Sequence, residues 1–151
     1  MRSLGMTLKK INFKNVAVLS FLQIALAMMV FYDYLNVQND FRTLKTRLMN
    51  IRMETISNNK TLTVKFDEKK ISVSDHQVGQ QMDSFQISTL NDVHYDTKLG
   101  KNMIVFDRGT TERFNIRIHG GEISLRSWFG FRKYIHINCA GYIREGRYPE
   151  D

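Results

Sequence analysis

The sequence predicts an α+β protein in which a long N-terminal helix, one half able to cross a membrane and the other half amphipathic, packs on an antiparallel β-sheet. Three observations predict it. An apolar run fills Val16 to Leu35, a stripe of apolar residues in steps of three and four follows, and beyond residue 60 the apolar period falls to two.

The run reads VAVLSFLQIALAMMVFYDYL. At ~1.5 Å per residue, a helix over 16–35 covers the ~30 Å hydrocarbon thickness of a bilayer. Its interior polar residues, Ser20 and Gln23, can bond to the helix backbone or to a neighbouring helix. Asp33 is expected to reach lipid headgroups at the far end, where Phe31, Tyr32 and Tyr34 suit the interface. Arg2, Lys9, Lys10 and Lys14 precede the run without an acid. The positive-inside bias therefore keeps residues 1–15, a basic leader, in the cytoplasm and sends the rest across the cell membrane, to the cell surface or periplasm. A cleaved secretory signal and a buried core helix are the alternatives. Against them, no small-x-small site closes the run and no solvated polar face divides it.

From Asn36 the pattern becomes Phe41, Leu44, Leu48, Ile51 and Thr55, with Arg42, Lys45, Arg47, Arg52 and Glu54 on the other faces. No proline or glycine lies between Gly5 and Gly79, so the membrane half at 16–35 can continue into an amphipathic stalk over 36–58. The result is one helix of roughly 45 residues, ending near Ser57-Asn58-Asn59. Residues 59–151 then form a β-rich domain of about seven short strands. Leu62, Val64 and Phe66 pair through the charged turn at 67–70 with Ile71 and Val73; Phe85 and Ile87 mark a strand, and 102–107 another. Phe114, Ile116 and Ile118 run into Gly120-Gly121 and out through Ile123 and Leu125, the signature of a hairpin. Tyr134 to Asn138 and Tyr142 to Arg144 complete the set.

Lysine and arginine exceed the acids by 22 to 15, so the surface favours anionic partners such as phospholipid headgroups or nucleic acid. Chemistry has little to work with. Cys139 is alone and cannot form an intrachain disulfide, and the four histidines at 76, 94, 119 and 136 include no i,i+4 pair. His136-x-x-Cys139 offers two metal ligands that would need distant partners. No nucleophile elbow or phosphate loop is present, and Asp92 and Asp96 read as acids of a polar loop. No enzyme, cofactor or metal site is expected. Arg126, Arg132, Lys133, Arg144 and Arg147 are interleaved with Trp128, Phe129, Phe131, Tyr134 and Tyr142, a mixture that can bind DNA through phosphate contacts and base stacking. The commoner arrangement has the aromatics filling a loop core or subunit interface while the arginines stay solvated.

The whole layout, with Arg47 to Phe66 (RLMNIRMETISNNKTLTVKF), Met103 to Asp107 followed by Arg108-Gly109, and Ile135 to Asn138 followed by Gly141-Tyr142-Ile143-Arg144, resembles the type IV pilins and pseudopilins. It is similar to minor pseudopilins related to the H subunit of type II secretion and to FimT-type pilins, and most closely to the D-type competence pseudopilins. Leu4-Gly5-Met6-Thr7-Leu8 resembles the family's leader, which implies cutting between Gly5 and Met6 by prepilin peptidase; Lys10 stands where the family carries glutamate. The resemblance implies a structural subunit of a filament for DNA uptake in competence, or for protein secretion, with membrane lipid, other pilin subunits and DNA as partners. It adds Arg144 and Arg147 as DNA contacts. The second reading is a single-pass anchored binding protein that joins no filament.

Overall fold

The computed structural model describes residues 13–67, 69–88, 91–96, 102–108, 110–111, 121–138 and 140–146. A single helix, α1 (Phe13–Ser57), precedes nine described strands: β1 (Thr61–Asp67), β2 (Lys70–Asp75), β3 (Gln81–Gln86), β4 (Asn91–Asp96), β5 (Met103–Asp107), β6 (Thr110–Thr111), β7 (Gly121–Ser127), β8 (Arg132–Ile137) and β9 (Ile143–Gly146). The chain divides into two compact units, Met1–Tyr32 and Asp33–Asp151.

In the first unit α1 is long and apolar enough to cross a membrane, and Leu19, Phe21, Leu22, Ile24 and Met28 are exposed along it. The Ser20 hydroxyl donates to the Val16 carbonyl at 3.0 Å. That bond satisfies the group within the helix, as a hydrocarbon environment requires.

In the second unit the amphipathic stripe is the spine of the core. Phe41, Leu44, Leu48, Ile51 and Thr55 are all buried, and Val37 extends the stripe one turn toward the N-terminus. The helix stops where the polar cluster predicts. Asn59 takes the left-handed conformation (φ 50°), which asparagine tolerates better than most residues. The amides of Asn58 and Lys60 then donate to the carbonyls of Glu54 (2.9 Å) and Thr55 (3.2 Å), which satisfies two acceptors of the last turn.

Two antiparallel sheets share this core, where the sequence predicts one. The first has five strands in the order β3-β2-β1-β5-β6 and the second four in the order β4-β7-β8-β9. In the first, Val64 lies opposite Val73 on β2 and Ile104 on β5, and Leu62 lies opposite Phe106. In the second, Ile123 and Leu125 of β7 and Ile135 and Ile137 of β8 point to the same core as the helix stripe. Fully buried Leu44, Leu48, Leu62, Phe106 and Ile135 thus join the helix and both sheets into one hydrophobic body.

The hairpin expected through Gly120-Gly121 rests on 114–118 and Gly120, which lie outside the described residues. Two expectations change. The segment of Asp92 and Asp96 is strand β4 and not a polar loop, held in register from Asn91↔Ser127 to Asp96↔Glu122. Asp33, expected at the headgroups, is 2% exposed inside the second unit.

Candidate interaction surface

The residues singled out as a basic surface separate when folded. Alternation along β8 sends neighbouring side chains to opposite faces, so Arg132 and Lys133 part company. Arg126 and Arg132 lie directly across from one another on β7 and β8, both exposed, and Asp92 holds the register position beside Arg126 on β4. Lys133 lies opposite Leu125, its ammonium 3.3 Å from the Glu145 carboxylate and 5.6 Å from the Phe41 ring centre. Arg144 is exposed opposite His136, four residues along β8 from Arg132. Arg147 lies outside the described residues, as do Gly5, Met6 and Cys139. Of the four described, the folded chain brings two together, Arg126 and Arg132, at the end of the sheet where β7 turns into β8.

That turn is built tightly. The Ser127 amide donates to the Phe131 carbonyl at 2.9 Å, the Phe131 amide returns a bond to the Ser127 hydroxyl at 3.1 Å, and the Gly130 amide donates to the Ser127 carbonyl at 3.0 Å. Gly130 has φ 86°, a conformation that side chains oppose, so glycine is needed for the reversal. With its ends fixed, the turn presents Trp128, 72% exposed, and Phe129, 41% exposed, their rings 5.6 Å apart.

The turn is pinned to α1. The Asp33 carboxylate accepts a bond from the Phe129 amide at 3.0 Å through Oδ2, while Oδ1 is buried without a partner. One residue on, the Tyr34 ring meets Phe131 edge-on at 5.4 Å between centres. Two turns along the helix the same device recurs, the buried Asp40 carboxylate accepting from the Ser88 amide at 3.0 Å. A buried carboxylate is costly unless hydrogen-bonded, and here backbone amides of the strand connections supply the bonds.

Sequence reasoning missed both carboxylates as structural groups. A signal was available: Asp33, Val37, Asp40, Leu44 and Leu48 are spaced by four, three, four and four, which places both acids on the buried stripe.

Further along the helix, Arg47 makes an ion pair with Asp83 at 3.1 Å and lies 5.6 Å from the Phe85 ring, while Arg52 lies 4.8 Å from the Tyr142 ring. These basic side chains serve packing of the helix on its own strands. Among the described residues no group of three His, Cys, Asp or Glu is placed to hold a metal ion. An open depression lined by Phe66, Asp67, Lys69, Lys70 and Asn102 lies beside the β1–β2 turn and gathers no nucleophile beside a base.

Known structures share this architecture. The type IV minor pilin FimU of Pseudomonas aeruginosa aligns with a TM-score of 0.62 at 14% identity, over 78% of this chain and 92% of FimU. The minor pseudopilin EpsH from the type 2 secretion system of Vibrio cholerae aligns with a TM-score of 0.61 at 10% identity, over 76% of this chain and 99% of EpsH. A second crystal form of FimU gives 0.59 at 15% identity, over 74% and 93%. No family model and no curated protein matches the sequence.

Proposed function

Because the chain has the α+β fold of the type IV minor pilins and pseudopilins, we propose that it is a minor structural subunit of a type IV filament machine serving DNA uptake or protein secretion. The observation that carries this is α1 itself. One helix supplies an exposed apolar half of lipid-spanning length and then a buried stripe that forms the core of the two-sheet unit. In such a subunit the apolar half sits in the bilayer with the basic leader cytoplasmic and the folded unit outside. Association there rests on van der Waals packing against neighbouring pilin helices. With Ser20 already bonded to its own helix, Gln23 is the side chain left to hydrogen-bond across helices. The work is assembly, and no catalytic step is assigned.

Processing tests the proposal. The full chain, expressed with and without a prepilin peptidase and extracted from membranes, is expected to show a peptidase-dependent N-terminus at Met6 by intact mass and N-terminal sequencing. An unchanged N-terminus would overturn the filament reading. It would favour the anchored binding protein, for which Lys10 in place of the family's glutamate argues.

A further inference from the structure

We infer that the β7–β8 turn is a second membrane contact, in which Trp128 and Phe129 enter the interfacial layer of the bilayer and Arg126 and Arg132 bind anionic lipid phosphates. This rests on the reading that the apolar half of α1 crosses the bilayer.

The Phe129 amide is bonded to Asp33, and Asp33 immediately follows the last residue of the apolar first unit. Asp33 lies near the far end of the 16–35 run, so a turn bonded to it is tied to the helix at the headgroup end of that run.

Trp and Phe side chains at the headgroup level, with an apolar body against the acyl chains, form the usual interfacial belt. Here the two most exposed aromatic rings of the turn stand at its tip, and Tyr34, 41% exposed, stands on the helix beside it. Arg126 and Arg132 face each other across the strands. With Asp92 at the register position on the other side of Arg126, the two guanidiniums still leave a net positive charge at the turn, which an anionic phosphate complements. A single-stranded nucleic acid could use the same rings and guanidiniums, but nothing in its chemistry calls for a platform fixed at the membrane end of the helix.

Trp128 is the chain's one tryptophan, so its fluorescence reports on this turn alone. The full chain is reconstituted in phosphatidylcholine vesicles with and without phosphatidylglycerol, floated on a density gradient, and read with lipids carrying a quencher near the headgroup or deep in the acyl chain. The shallow quencher is expected to lower Trp128 emission about twofold and the deep one far less, as for an interfacial ring. The effect should be larger with phosphatidylglycerol, and the double variant Arg126→Gln/Arg132→Gln should abolish that preference. Protein that floats with Trp128 unquenched overturns the proposal and leaves the anchor intact. Protein that does not float overturns the anchor as well. Emission that responds to added single-stranded DNA and not to the lipid quenchers also overturns it, in favour of a polyanion site.

Discussion

Replacing Leu44 with alanine is expected to lower the stability of the folded unit by about 3 kcal/mol, within the range for large-to-small changes at fully buried sites. Leu44 is 0% exposed and belongs to the cluster that includes Leu62, Phe106 and Ile135, so the deletion opens a void where helix and both sheets meet. Close packing from three sides leaves little freedom for the neighbours to collapse into the space. A small domain holds ~5–15 kcal/mol in total, so a loss of this size is a large fraction of its margin. Amide hydrogen exchange of the full chain in detergent micelles reads it: protection in β1, β5 and β8 should fall together by about two orders of magnitude, since each ~1.4 kcal/mol is a factor of ten. Met49, 49% exposed on the same helix, is the internal comparison, and Met49→Ala should change protection little. Equal effects at the two positions would contradict the buried stripe.

Replacing Asp33 with alanine is expected to cost about 1–3 kcal/mol and to act mainly on the β7–β8 turn. The Phe129 amide loses its acceptor, and a donor left unpaired carries the desolvation penalty that the bond had removed. Asp33→Asn should be milder, because an amide oxygen can still accept from Phe129. The buried, unpartnered Oδ1 offsets part of the aspartate's benefit, which sets the estimate below that for a fully satisfied charged bond. Exchange of the Phe129 amide is the direct reading. It should accelerate strongly in the alanine variant and modestly in the asparagine variant, with β1 and β5 nearly unchanged. Unaltered exchange at Phe129 would show that the carboxylate does not hold the turn.

The α+β, pilin-like fold was legible because its determinants are local. Phe41, Leu44, Leu48 and Ile51 repeat at helical spacing, and the alternation of Leu62, Val64 and Phe66 reads as a strand before any partner is known. Strand β4 was not legible. Asn91, Asp92 and Asp96 are poor strand formers, and the segment is extended because β7 accepts it, a pairing across some 30 residues that no window of sequence contains.

The basic surface was legible as composition and misleading as geometry. Period two alone separates Arg132 from Lys133, while the Lys133–Glu145 ion pair requires the β8–β9 register. The two buried aspartates were readable as members of a helical stripe, but not as anchors. Their partners, the amides of Phe129 and Ser88, lie 96 and 48 residues away along the chain.

The proposed packing of α1 among the helices of filament subunits is read by a photo-crosslinking residue at Leu22, 58% exposed on the apolar half. The full chain carrying it is expressed in its native host, irradiated in intact cells and identified by mass spectrometry. A crosslink to the N-terminal apolar helix of a different pilin-like subunit is expected. Adducts with lipid alone, at a position that packs against no other helix, would contradict it.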